Sequence, residues 1–226
     1  MFSTNENFKS SFRNQLTFKK LGLFLIILVQ FTKPLHQIIN LCILRDKNPK
    51  NMNGWTPLHY AAKDGYSAMC ELIINEINDK NPKSESGLTP LHFAARNGQL
   101  SVCQLIVNNV QDKNPKDKTG WTPLHYAARN GHFSVCEFII GKIDDVNTTN
   151  SSGDTPLHFA AEKGHLKICK HIIEKISVKN PENDDGWTPL HLAAQNKHLE
   201  LCKLMYDHIR NNDSKSNLNE DLSCIL

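Results

Sequence analysis

The sequence predicts an all-α solenoid of stacked helix-turn-helix units, and three observations predict it. Glycine recurs at Gly54, Gly87, Gly120, Gly153 and Gly186, each step being 33 residues with no insertion. In the same register stand Thr56, Thr89, Thr122, Thr155 and Thr188, each followed by Pro and Leu, then His59, His92, His125, His158 and His191 and a pair of alanines. Five of the seven cysteines, Cys70, Cys103, Cys136, Cys169 and Cys202, keep the step as well. A fixed period of this length marks a repeat architecture, in which each unit buries its apolar face only against copies of itself.

Each unit reads as helix, turn, helix, loop. Thr56 is a good N-cap, and Pro57 suits the first helical position, where its missing N–H has no partner to lose. The paired alanines, such as Ala61-Ala62, leave room for a close neighbour. Gly65, with Gly98, Gly131 and Gly164 after it, suits the left-handed stop that ends a helix. In the fifth unit Lys197 replaces this glycine, so either that turn is looser or Asn196 takes the strained conformation. A second apolar run, Met69, Cys70, Leu72, Ile73, Ile74 and Ile77, has helical spacing. The stretch Asp79 to Lys83, with Pro82 inside it, then breaks the helix and leads into the next glycine.

The repeated Thr-Pro-Leu-His-x-Ala at a 33-residue period resembles the ankyrin-repeat family. The resemblance covers residues 54–210 and implies an ankyrin-repeat solenoid whose helix pairs are joined by β-turn or finger loops. It divides the chain into five repeats, 54–86, 87–119, 120–152, 153–185 and 186–210. They are preceded by a polar, basic segment (1–20), read as disordered, and a degenerate apolar repeat or cap (21–53), and followed by a polar tail (211–226). Two features depart from the family pattern. The usual glycine near the end of helix two is Ile77, Val110, Ile143, Ile176 and Ile209 here, and the usual finger-base valine survives only as Val146. The finger conformation is therefore less determined by the sequence than the helices are.

Composition excludes several classes. With 39% hydrophobic and 22% charged residues the chain is neither disordered, fibrous nor a polytopic membrane protein. A net charge of +3 is too small for the basic footprint of a nucleic-acid binder. Residues 1–50 hold eight Lys/Arg against two Asp/Glu, whereas 51–226 hold eighteen against twenty-one. The repeat body is thus mildly acidic and poorly suited to gripping phosphates. No glycine-rich phosphate loop, nucleophile elbow or His-Glu-x-x-His motif is present.

The histidine and cysteine columns invite a metal or catalytic reading. Each unit, however, supplies only one His and one Cys to these columns, where a zinc site needs four converging ligands. The residues read instead as scaffold: Cys as a small buried hydrophobe and His as a local hydrogen-bonding group at the third position of its helix. In ankyrin repeats, the resemblance implies, that His ties the Thr hydroxyl and the adjacent loop backbone. Column cysteines one unit apart are too distant for disulfides. Unpaired thiols imply a reducing compartment, so the expected location is cytoplasmic, with a nuclear one also compatible. No metal, cofactor or small-molecule substrate is expected, and no catalysis.

The position before each Thr-Pro-Leu-His is Trp55, Leu88, Trp121, Asp154 and Trp187. In ankyrin repeats the matching position faces the concave groove where protein partners bind. Two readings stand for the indoles: packing against a neighbouring finger, or a ladder of aromatic anchors. The end of helix one, beside that groove, carries Lys63-Asp64, Arg96-Asn97, Arg129-Asn130, Glu162-Lys163 and Gln195-Asn196. These vary where the frame does not, as a surface tuned to a partner does, and plain solvated charge is the other reading.

The apolar run from Leu21 to Val29 is too short to span a bilayer, which needs roughly 20 residues. It reads as a cap or buried helix, as a membrane or targeting segment over 19–31, or as a docking face. The functional expectation is a non-catalytic protein-binding adaptor, scaffold or inhibitor. A membrane-associated repeat module is the alternative.

Overall fold

The structure, a computed structural model, describes residues 48–212, with side chains through Arg210. The basic segment, the apolar segment up to residue 47, the tail from 213, Cys42 and Cys224 all lie outside the described residues. So do the readings attached to them.

Among the described residues, ten helices and no strand alternate along the chain. They are α1 (Pro57–Asp64), α2 (Ser67–Glu76), α3 (Pro90–Arg96), α4 (Leu100–Asn109) and α5 (Pro123–Arg129). Then follow α6 (Phe133–Ile140), α7 (Pro156–Glu162), α8 (Leu166–Ile173), α9 (Pro189–Gln195) and α10 (Leu199–Asn212). Each odd-numbered helix packs on the next odd one and each even helix on the next even one, while the two helices of a unit pack on each other. The expected all-α repeat solenoid is what forms.

One core runs the length of this stack. Leu58, Leu91, Leu124 and Leu157 are fully buried, and the Ala pairs between them let the first helices approach. Cys70, Cys103, Cys136, Cys169 and Cys202 line the second helices within the same core, beside Ile73, Ile106, Ile139, Ile172 and Met205. The isoleucines and valine that replace the expected glycine have a packing role. Ile77, Ile176 and Ile209 are buried, and Val110 and Ile143 pack against the core. Ile77 and Val110 end their helices in extended conformation, φ −109° and −126°. That conformation suits a β-branched residue and needs no glycine.

The fifth unit differs from expectation in two ways. Lys197 itself takes the left-handed conformation at φ 62°, while Asn196 stays at φ −90°. The turn is not loosened, because Lys197 N–H donates to Ala194 O and His198 N–H to Ala193 O, both at 2.9 Å. These bonds match those of Gly98 to Ala95 O and Gln99 to Ala94 O in unit two. The second difference is that α10 runs on to Asn212, past residue 210.

The fingers are as regular as the helices, despite the missing valines. In all five, the first residue donates its N–H to the carbonyl four residues on: Asn51 to Trp55, Ser84 to Leu88, Asp117 to Trp121, Asn150 to Asp154 and Asn183 to Trp187, at 2.8–2.9 Å. In four of them the same residue's side-chain oxygen accepts two backbone N–H groups. Asn51 Oδ1, for example, accepts from Asn53 and Trp55 at 2.9 Å each. An Asn or Asp side chain thus builds the turn through hydrogen bonds. Successive fingers are stitched by Glu85 to Asn53, Lys118 to Ser86, Ser151 to Thr119 and Asp184 to Ser152, at 3.0–3.1 Å. Gly87 sits at φ 80°, and a Cβ there would lie 2.8 Å from Lys118 N, so glycine serves both the turn and the close approach.

Two stability effects follow. Lys197→Gly relieves a left-handed lysine and is expected to stabilise by about 1 kcal/mol, read as a rise in urea midpoint. Cys136→Ala, at a site 1% exposed, is expected to cost about 1–2 kcal/mol as a small cavity. A chelator should leave both melting curves unchanged, and loss of helix on chelation would contradict the packing role of the cysteine column.

Candidate functional site

The Thr-Pro-Leu-His segment places each histidine where the capping geometry needs it. Thr56, Thr89, Thr122, Thr155 and Thr188 adopt extended N-cap conformations, and each forms a reciprocal capping box with the His three residues on. In unit one, His59 Nδ1 accepts the Thr56 N–H at 3.0 Å and lies 2.9 Å from the Thr56 hydroxyl. Nε2 then reaches the next finger and donates to Leu88 O at 3.1 Å. The same bond joins His92 to Trp121 O, His125 to Asp154 O and His158 to Trp187 O, each at 3.1 Å.

A nitrogen that accepts a backbone N–H carries no proton, so each ring is the neutral Nε2–H tautomer. Burial reinforces this. It lowers His59, His92 and His125 from 6.5 to about 4 and lowers His158 too, opposed by the carbonyl bond at Nε2. With both nitrogens engaged, these rings are unavailable as bases or ligands. Burial likewise lifts Cys70, Cys103 and Cys169 to about 12 and raises Cys136 further. Thiols held this way are poor nucleophiles. Among the described residues no three or more His, Cys, Asp or Glu converge as a metal site requires.

A second histidine column escaped the sequence reading. His132 Nε2 donates back to Arg96 O at 3.0 Å, and His165 and His198 bond Arg129 O and Glu162 O at 3.1 Å. The signal was visible in the Gly-His pairs at 131–132 and 164–165 and in Lys197-His198. These rings close the carbonyl ends of α3, α5 and α7 from the next unit.

The residues expected at the groove separate into two groups. Trp55 lies 4.3 Å from Phe93 and 5.2 Å from Tyr60, centroid to centroid, and Trp121 lies 4.2 Å from Phe159 and 5.0 Å from Tyr126. Each indole therefore covers the phenylalanine of the following unit. Among the described residues Trp187 meets no such ring, and it is 41% exposed. Asp154 accepts from Asn183 Nδ2 at 2.8 Å, which ties its finger to the next, and Leu88 is half-buried. In the second group, Lys63, Asp64, Arg96, Asn97, Arg129, Asn130 and Lys163 are exposed, with Glu162 half-buried. Arg96, Trp121, Tyr126, Arg129 and Asn130 line one depression, and Gly186, Trp187, His191, Ala194 and Gln195 line another at the end of the array.

A solenoid of capped helix pairs, bonded unit to unit and carrying its variable side chains along one edge, defines a repeat scaffold. A family model for ankyrin repeats matches it in overlapping placements at residues 25–117, 76–150, 105–182 and 142–219. The chain belongs to the ankyrin-repeat family, whose repeats are generally protein–protein interaction modules. Comparison with curated proteins yields no match. No helix among the described residues is long and apolar enough to cross a membrane, and the segment 19–31 lies outside them.

Neutral buried histidines set a pH dependence. The unfolded chain takes up protons near pH 6.5, while the folded rings resist them until about 4. Stability is therefore full above pH 6.5 and falls as pH drops from 6.5 toward 4. Each pH unit inside that window is worth about 1.4 kcal/mol per ring at most. Urea midpoints at pH 7.5, 6.0 and 5.0 should decline steadily; a flat series contradicts the neutral assignment.

Proposed function

We propose that this chain is a non-catalytic adaptor, scaffold or inhibitor that binds a protein partner along the concave edge of its repeats. One observation carries the reading. A column of side chains, Lys63, Arg96, Arg129, Glu162 and Gln195, changes identity at every step but one, while the residues beneath it repeat almost unchanged. Most of this column is exposed, so its variation leaves the core untouched. The half-buried Trp55 and Trp121 and the exposed Trp187 add aromatic surface beside it, the kind that dominates interface energies.

The preorganised frame means that little ordering entropy is lost on association. The buried, engaged histidines and thiols support the non-catalytic part of the proposal. The five free thiols support a reducing location, cytoplasmic or nuclear.

Affinity capture tests this with three forms of the full chain. Trp55 and Trp121 shield Phe93 and Phe159, so exposed residues make better probes than a triple tryptophan deletion. The groove variant is Arg129→Ala with Trp187→Ala. The control, Glu71→Lys with Glu137→Lys, alters exposed positions on the second helices. A partner held by wild type and control and lost about tenfold or more by the groove variant is expected. Partners lost only by the control move the site to the opposite face.

A further inference from the structure

We propose that the depression between the second and third repeats takes an acidic segment of a protein partner, in which carboxylates flank an apolar side chain. This rests on the groove reading above and assigns it a chemistry.

The depression is built from Arg96, Trp121, Tyr126, Arg129 and Asn130. The Arg129 guanidinium carbon lies 5.4 Å from the Trp121 ring centroid, and that of Arg96 lies 6.0 Å from the Tyr126 centroid. Stacking on a ring restricts a long side chain before any ligand arrives, and it leaves the planar donor fork open to a carboxylate. Neither guanidinium is within ion-pair distance of a carboxylate among the described residues, where the recorded ion pair is Lys163–Glu162. The nearby acid is already occupied. Asp117 accepts from Thr119 N–H, Thr119 hydroxyl, Trp121 N–H and Tyr126 hydroxyl, at 2.8–3.0 Å. Among the described residues, two ring-stacked cations are therefore without a carboxylate in ion-pair contact, and the half-buried ring faces of Trp121 and Tyr126 lie beside them.

The surrounding charge selects the same ligand and gives it a direction. Along the helix ends the order is Lys63, Arg96, Arg129, then Glu162 and Gln195. Along the fingers it is Lys50, Lys83 and Lys116, then Thr149 and Glu182, and the finger tips pass from Lys118 to Asp184 and Asp185. Asp64, Glu85 and Asp117 are acidic exceptions in the first half, and Lys163, paired with Glu162, is a basic one in the second. At these register positions units one to three are thus mainly basic, and units four and five mainly acidic or neutral. A short acidic stretch fits the first part, with neutral or basic residues continuing over the second. A long polyanion laid along the groove meets repulsion from Glu182, Asp184 and Asp185, which favours a protein segment over a nucleic acid.

The test uses the full chain and a fluorescein-labelled peptide in which pairs of Glu alternate with Leu, followed by fluorescence anisotropy at low salt. A peptide with Gln for Glu is the control. The Glu peptide is expected to bind about tenfold or more tightly than the Gln peptide, the scale of two guanidinium–carboxylate contacts. In an Arg96→Gln/Arg129→Gln variant of unchanged melting temperature, the Glu peptide should fall to the level of the Gln peptide. Equal binding of the two peptides overturns the proposal, and so does undiminished binding by the double variant. Tighter binding of a labelled single-stranded RNA that is lost in the double variant also overturns it, in favour of a phosphate ligand. If the Glu peptide fails while partner capture still depends on Arg129 and Trp187, the acidic chemistry falls and the groove reading stands. If both fail, the groove reading falls with it.

Discussion

The interaction on which the rest depends is the histidine that serves two units at once. Its Nδ1 closes the N-terminus of its own helix, and its Nε2 holds the carbonyl at the base of the next finger, as His59 does between Thr56 and Leu88. The buried Thr56 N–H has this ring as its acceptor, and losing it would cost about 1–3 kcal/mol. The Leu88 carbonyl, already bonded by Ser84 N–H, gains a second donor from the preceding unit. Helix start and repeat spacing are therefore set by one ring. Glutamine, a frequent partner of Thr in such caps, reaches the helix end but lacks a second rigid arm pointing the opposite way. The arrangement requires a neutral ring, and burial supplies it.

From that junction the other contacts fall into register. Finger meets finger through backbone bonds, second-column histidines close helix ends from the following unit, and the cysteines and isoleucines fill a continuous core. Each unit contacts only its neighbours, so order accumulates locally along the stack. The outer edge is released from structural duty. Lys63, Arg96 and Arg129 put cations and Glu162 an anion on equivalent backbone, so the surface chemistry changes along the stack while the frame does not.

Much of this was legible in the residues, because the repeat compares the chain with itself. Thr56-Pro57 announces a helix start, and five copies remove the ambiguity that a single copy leaves. Lys197 showed where strain falls but not which residue bears it; the two turn bonds to Ala193 and Ala194 decide that. The fingers looked uncertain because hydrophobic anchors were missing, yet Asn51, Asp117, Asn150 and Asn183 form the turns through side-chain oxygens. A column of single positions shows each indole alone. Their packing is a relation between residues 38 apart, Trp55 with Phe93 and Trp121 with Phe159, and single-unit comparison conceals it. The arginine pair was visible as two exposed cations, but its stacking on Trp121 and Tyr126 belongs to three dimensions.

That indole packing gives the array a hidden superperiod. Trp and Tyr mark units one and three, Phe marks units two and four, and each indole closes over the Phe that follows it. The stack is thus composed of couples rather than interchangeable singles. Shortening or extending it by 66 residues preserves every couple, whereas a change of 33 sets an indole against Tyr126 or Leu192, or strands a Phe without its cover. In the fifth unit Trp187 has no phenylalanine to cover among the described residues, and it is the exposed indole of the three.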